Sequence, residues 1–387
     1  MPSESHRLAP LQQIMLRDSL AGGATGVNVE QLEIVFETPI KASQVAAAWT
    51  MTVAQIEVLR MAFILEDFGP SHWESAAILA SITCPDQAPA NFEQWMKTDR
   101  CTPLLHSATT PWRTVYWESE GRLVWTSHHA LIDGRSITAV IRQFLQCLLG
   151  NLPPPALAIT HWTPPDEAML ARAQAYFQEN FSNLPLGESP PPIFSFSQST
   201  RILGRAWVEA LKCLATDLDV SPATLLLWTW GQAVAQVAGM PHAIVEQVRC
   251  GPPQPGRLGF SMNTLPLLIP RCNDGKKTRA VIQSLRRQVL GLRQIEALSP
   301  LEHPAIICAL TSEVWSSVIM IETSTLENLA ATQPAVRTIT LHENPAESLT
   351  ATALLSAELR LEVEGLASAE LLEMWEQCLT QLTAVRS

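Results

Sequence analysis

The sequence predicts a mixed α/β protein built in two lobes, and three observations predict it. Runs rich in β-branched and aromatic residues alternate along the chain with stretches whose apolar residues recur at helical spacing. At 387 residues, 47% of them hydrophobic and 16% charged, the chain exceeds one ordinary domain and can bury a large core. The stretch Asn151 to Pro165, with Pro153, Pro154, Pro155, Pro164 and Pro165, reads as a connector that divides the chain into lobes 1–160 and 161–387.

In the first lobe, Arg113 to Glu118 and the run through Leu123 and Trp125 read as two strands joined across Ser119, Glu120 and Gly121. The second strand leads into His128-His129-Ala130-Leu131-Ile132-Asp133-Gly134, a short turn. Ser136 then caps a helix whose apolar residues Ile137, Val140, Ile141, Phe144, Leu145 and Leu148 share one face, closing near Gly150. Beyond the connector, Pro190, Pro191 and Pro192 mark another break. Leu225 to Gly239 is the most apolar stretch, but Gly231, Gln232 and Gln236 interrupt it. With Ser221 as N-cap and Pro222 as first helical residue, it reads as a buried helix rather than a membrane span. A strand over Ala243 to Arg249 follows, then a Pro/Gly-rich loop from Gly251 to Gly259 and the segment that carries Asn263. No fixed-period repeat or low-complexity tract is present, which sets aside solenoids and disordered arrays.

A formal charge of −11 argues against nucleic acid or an anionic membrane as main partner, since both need basic stripes. The small basic cluster of Lys276, Lys277, Arg279, Arg286 and Arg287 reads as a solvated helix start. The eight cysteines show no Cys-x-x-Cys pairing and no regular framework, and no charged-then-apolar leader opens the chain. Together these imply a reduced, cytoplasmic protein. No metal is expected.

The chemistry concentrates in His-His-x-x-x-Asp-Gly, formed by His128, His129, Asp133 and Gly134. A neutral imidazole at a rigid strand end can take a proton from an attacking amine or hydroxyl, because its reference pKa lies close to working pH. A paired carboxylate can fix the local geometry, and the unhindered N–H of a glycine can approach an oxyanion developing on a carbonyl. Acyl transfer is the reaction class these parts indicate. The competing reading is a strand end with two surface histidines before an ordinary Asp-Gly turn.

Other segments extend the pattern. They are Leu8-Ala9-Pro10-Leu11-Gln12-Gln13-Ile14-Met15-Leu16 with Gly26-Val27-Asn28-Val29-Glu30-Gln31, then Leu59-Arg60-Met61-Ala62-Phe63, then Leu258-Gly259-Phe260-Ser261-Met262-Asn263-Thr264-Leu265-Pro266-Leu267, and finally Leu359 to Leu382. Taken in order, the sequence resembles the condensation domains of nonribosomal peptide synthetases, members of the chloramphenicol acetyltransferase-like acyltransferases. It departs from the family where Gln55 and Ile56 replace an Arg-His pair, where the fourth motif is weak around Ala173 to Phe177, and where Arg135 stands in place of a common Trp. The chain is also shorter than a typical member between Phe181 and Gly251.

The resemblance implies an α/β (α+β sandwich) fold of two acetyltransferase-like lobes forming a V-shaped pseudo-dimer with a central tunnel. It implies His129 as the base and Gly134 as the oxyanion donor. His128 holds structure by hydrogen bonding, and Asp133 forms an internal salt bridge with Arg60 or Arg249. Arg135, Ser136 and Asn263 line the substrate tunnel. Arg135 reads either as a first-turn residue reaching solvent or as a cation facing an anionic acceptor or the pantetheine phosphate. Asn263 either lines the tunnel or satisfies backbone groups in its strand.

The implied reaction passes an acyl group from a carrier-protein phosphopantetheine thioester to an amine or hydroxyl acceptor, giving an amide or ester. No cofactor is bound permanently; the phosphopantetheine arm arrives on acyl or peptidyl carrier proteins, and the acceptor is a small amine or alcohol. With no carrier-type attachment site or nucleotide-binding loop in the sequence, partners must supply activated substrates. Two alternatives stay open: a stand-alone coenzyme A-dependent ester-forming acyltransferase and a non-catalytic recruitment domain. Epimerisation is a further reading within the family, and cyclisation is disfavoured because that subgroup has aspartates where His128 and His129 stand.

Overall fold

Strand Val29–Phe36 places Leu32, Ile34 and Phe36 on one apolar face, because side chains alternate along a strand. In the computed structural model it pairs antiparallel with Arg122–His128 on one side and Val336–His342 on the other. Arg122–His128 pairs antiparallel with Trp112–Trp117 across the turn in which Gly121 adopts φ +57°, and Ile82–Thr83 adds a parallel edge. The structure describes residues 6–66, 69–150, 155–181, 197–251, 254–272, 274–298, 316–322, 325–344, 349–365 and 367–384. The expected break at Pro190, Pro191 and Pro192 lies outside them, as do Pro153 and Pro154 of the connector.

Helices Ala42–Gln55 and Gly134–Leu148 pack together over the apolar face of this five-stranded sheet. Trp49 sits at the centre, its ring 5.9 Å from Trp112, 5.5 Å from Trp125 and 5.4 Å from Phe144, all steeply inclined. Aromatic rings so arranged combine large apolar burial with favourable edge-to-face electrostatics. Ile137, Val140, Ile141, Phe144 and Leu145 are buried along one helix face, as their spacing requires.

The chain divides into two compact units whose first break, at 163/164, falls close to the expected residue 160, but the second lobe is not the whole of 161–387. One comprises Met1–Thr163, Pro252–Met262 and Thr325–Ala346; the other comprises Pro164–Gly251, Asn263–Ser324 and Glu347–Ser387. The correction has a physical cause: strand Val336–His342 forms its ladder with Val29–Phe36, so a late segment belongs to the early unit. Part of the connector is structured as well, since Ala158–Ile159 pairs in parallel with Arg257–Leu258.

The second unit is built on a six-stranded sheet in the order Met262–Pro270, His242–Cys250, Ser316–Glu322, Leu349–Leu355, Leu359–Gly365 and Ser197–Leu203. Helix Pro222–Val237 is buried along most of its length, and Ser221 Oγ accepts the Thr224 N–H at 3.1 Å as its N-cap. A Cβ at Gly231 would come within 2.6 Å of Ile269, so glycine permits the close helix–sheet approach there. Trp375, on helix Ser368–Ala384, packs 4.8 Å from Trp230 and donates its indole N–H to Thr229 Oγ1 at 3.0 Å. Among the described residues no disulfide forms and no helix is long and apolar enough to cross a membrane.

Candidate active site

Strand Arg122–His128 ends where the chain tightens into the 3-10 turn His129–Leu131 and then enters helix Gly134–Leu148. Backbone bonds pin this corner: His128 N–H donates to Pro111 O at 3.0 Å and His129 N–H to Asn28 O at 2.8 Å. Asn28 holds a left-handed conformation, φ +58°, a region Asn visits more readily than most residues, and its amide ties it to helix Pro10–Gly22 by donating to Met15 O at 3.1 Å. The buried Gln12 accepts the Ala9 N–H at 2.8 Å and donates to Ala130 O at 2.7 Å. The opening segment of the sequence is thereby tied to the turn that carries His129.

The two histidines differ in kind. His128 is 1% exposed. Its Nδ1 accepts the Ala130 N–H at 3.1 Å, so the ring hydrogen resides on Nε2 and donates to Ser19 Oγ at 2.9 Å. Ser19 passes its own hydrogen to Val27 O at 2.8 Å. Burial, and secondarily the adjacent His129, pushes the His128 pKa down to about 3, so its ring is a neutral structural tie at ordinary pH. His129 keeps 18% of its side chain exposed, and its ring meets the edge of Phe260 at 6.3 Å. Its Nδ1 lies 2.8 Å from Oε1 of Glu30, although the approach is off the line of a well-formed ring N–H bond.

Glu30 is the functional candidate that reading the residues missed. It stands opposite Ser127 on the same face of its strand as Leu32, Ile34 and Phe36, and its side chain is 4% exposed. The available signal was an acidic residue in the apolar register of a half-buried strand, which requires a partner elsewhere in the fold.

Asp133 is buried, but the expected ion pair is replaced by neutral donors. Its carboxylate accepts the Ser136 N–H at 2.9 Å, the Ser261 N–H at 3.0 Å and the Ser261 hydroxyl at 2.6 Å. Arg60 donates instead to the carbonyls of Val53 and Ala54, and Arg249 to Glu296 and Gln247. A carboxylate aimed at the first turn of a helix is stabilised by free backbone N–H groups, which removes the need for a cation. The cap assignment moves accordingly: Asp133, not Ser136, is the N-cap of Gly134–Leu148. Ser136 Oγ donates to Gly259 O at 3.0 Å and accepts the Gly259 N–H at 3.1 Å, so its hydroxyl serves a clasp rather than a substrate surface. Gly259 has φ +153°, and a Cβ there would press on Thr160 at 3.3 Å.

Gly134 is exposed at the first helical position, with open space where a Cβ would stand. N–H groups at that position have no intrahelical acceptor. Arg135, also exposed, reaches Ser261 Oγ at 3.3 Å. With Asp133, Ser136, Thr160 and Arg257 it lines a cavity of about 110 Å³. That is below the roughly 300 Å³ at which small-molecule sites begin, so this cavity by itself does not hold a substrate. In the second unit, the amide of Asn263 donates to the carbonyls of Glu296 and Leu298 and accepts the Thr264 N–H at 3.1 Å. Its polar atoms satisfy backbone groups.

Comparison with known proteins agrees with this fold and motif. Residues 4–303 match the condensation-domain family model, and the chain belongs to that family, a class of acyl and peptidyl transferases with the chloramphenicol acetyltransferase-like fold. Nonribosomal peptide synthetase 5 of Aspergillus fumigatus is 28% identical over 343 residues, 76% of this chain and 15% of that protein. A linear gramicidin synthase of Brevibacillus parabrevis is 23% identical over 324 residues, 75% of this chain and 6% of its own length. The chain thus corresponds to a small part of each synthetase. Among solved structures, the first condensation domain of the calcium-dependent antibiotic synthetase superposes with TM-score 0.74 at 16% identity, covering 99% of this chain and 96% of that one. The condensation domain of the monacolin K polyketide synthase superposes with TM-score 0.75 at 11% identity, covering 98% of both.

Proposed function

We propose that this chain transfers an acyl group from a phosphopantetheine thioester on a carrier protein to an amine or hydroxyl acceptor, forming an amide or ester. One observation carries the assignment of roles: of two adjacent histidines, His128 is buried, neutral and bonded at both nitrogens, whereas His129 keeps its ring partly exposed beside a carboxylate. His129 is the base. It takes the proton of the acceptor as the nitrogen or oxygen attacks the thioester carbonyl, and it delivers that proton to the sulfur as the C–S bond breaks. Gly134 offers its N–H at the helix start to the developing oxyanion.

The similarity to peptide synthetases supports a carrier-borne donor. A structural neighbour, the starter condensation domain of rhizomide synthetase, was solved in complex with C8-CoA and Leu-SNAC, which supports a thiol-linked acyl group as the donor class. The pantetheine arm comes with the partner protein, and the acceptor is a small amine or alcohol.

The deciding experiment measures kcat/KM for one acyl group on a carrier protein and on coenzyme A, with one amine and one alcohol acceptor. Docking of the carrier contributes binding energy that orients the reacting carbon, so the carrier-borne donor reacts faster through kcat as well as KM. Equal or better use of coenzyme A overturns carrier dependence, and product formed only from the alcohol replaces amide by ester synthesis. In the same assay His129→Ala lowers turnover by roughly two to four orders of magnitude, the usual contribution of a positioned proton-transfer group.

A further inference from the structure

We infer that Glu30 is the positioning residue of His129: its buried carboxylate faces Nδ1, keeps the ring hydrogen there, and leaves the Nε2 lone pair for the acceptor's proton. This rests on His129 being the base. Two observations converge on it. Oε1 of Glu30 is 2.8 Å from Nδ1 of His129. Oε2 of Glu30 is buried and has no hydrogen-bond partner among the described residues. A carboxylate so deeply buried is costly unless it is paired, and the Nδ1–H of the His129 ring is the donor its position supplies.

Backbone bonding supports the same arrangement. His129 N–H donates to the carbonyl of Asn28, two residues before Glu30 in the chain, and Glu30 lies in register with Ser127 on the strand that ends at His128. Carboxylate and imidazole are therefore held to each other by a backbone bond and a strand ladder. The other titratable ring beside His129 is His128, whose Nδ1 is an acceptor. The two histidines accordingly carry opposite tautomers: hydrogen on Nε2 in His128 and on Nδ1 in His129.

The proton count closes without further groups. The acceptor's N–H or O–H bond breaks as its heteroatom bonds to the carbonyl carbon, and the proton moves to Nε2 of His129. Glu30 stays ionised and stabilises the imidazolium. The proton then leaves Nε2 for the sulfur as the C–S bond breaks. The off-line approach of Oε1 to Nδ1 is of the kind that tightens once substrate binds.

The test is Glu30→Gln in the full chain, assayed with a loaded carrier protein and with its histidine rings labelled with ¹⁵N. The expected result is a fall in kcat of about a hundredfold with KM changed less than about twofold, and loss of the single Nδ1–H tautomer at His129. Unchanged kcat, or lowered kcat with the His129 tautomer intact, overturns the inference. If Glu30→Gln does not fold, the ring spectrum of the unmodified protein decides alone, because an Nε2–H tautomer at His129 refutes the arrangement. Wild-type turnover in His129→Ala is a separate outcome that removes the base assignment itself.

Discussion

Ser261 grips Asp133 twice, donating both its N–H, at 3.0 Å, and its hydroxyl, at 2.6 Å, to the same carboxylate oxygen across 128 residues of sequence. The other oxygen caps the helix that begins at Gly134. Asp133 therefore joins the loop before Asn263 to the motif turn, and it does so with hydrogen bonds rather than an ion pair.

Asp133→Ala removes three charge-assisted bonds and leaves their donors without the carboxylate, and should destabilise by about 3 kcal/mol or more in chemical denaturation. Ser261→Ala should cost about 1 kcal/mol, with the double mutant less destabilised than the sum of the two. Arg60→Met should add independently to Asp133→Ala. Coupling between Arg60 and Asp133 would restore the ion-pair reading.

His128 titrates near 3 in the fold, pushed down chiefly by burial, against about 6.5 in the unfolded chain. The unfolded state therefore binds the proton first as pH falls, so the contribution of His128 is present above about pH 6.5 and lost between there and about pH 3. Stability should fall by about 1.4 kcal/mol per pH unit within that window from this residue alone. Urea titrations from pH 7 to pH 4 check this: His128→Asn should show a shallower slope, and an equal slope places the titrating group elsewhere.

Gly134→Pro separates the backbone donor from the fold. Proline is favoured at the first helical position, Asp133 before it has the extended backbone that proline demands (φ −93°, ψ 167°), and the Cβ position is open. The substitution should leave the melting temperature near that of Gly134→Ala while lowering kcat by about 10²–10³, the loss expected for one oxyanion donor. Activity equal to that of Gly134→Ala would assign the oxyanion to another group.

Gln12→Leu should leave the buried Ala9 N–H and Ala130 carbonyl unsatisfied. The expected loss is about 2 kcal/mol of stability, together with lowered kcat because Ala130 adjoins His129. Calorimetry alongside the transfer assay checks both. An unperturbed kcat at full occupancy of the fold would mean that the turn holds His129 without this brace.

Several elements were legible because their causes are local. The paired strands around Gly121 follow from alternation and a turn residue, the helix after Gly134 from a 3.6-residue apolar stripe, and the buried helix after Ser221 from its cap and proline. The motif at His128 and His129 was also readable from residues close together in the chain, and the family from several such short segments taken in order. The return of later segments to the first unit was not, because Val336–His342 closes a ladder with Val29–Phe36 and a strand carries no mark of which distant strand it will meet.

Within the motif, residues 128 to 136 by themselves determined which polar groups meet at this corner of the fold: two imidazoles, a carboxylate, a serine and a glycine N–H. Only the tertiary structure decided which partner each takes. Asp133 takes Ser261 and the Ser136 N–H rather than Arg60, Ser136 yields the cap and clasps Gly259, and Glu30 turns from a misplaced acid in an apolar strand into the neighbour of His129. The reason is that residue type sets what a polar group can bond, whereas its choice among many possible partners depends on what folding buries beside it and strips of water.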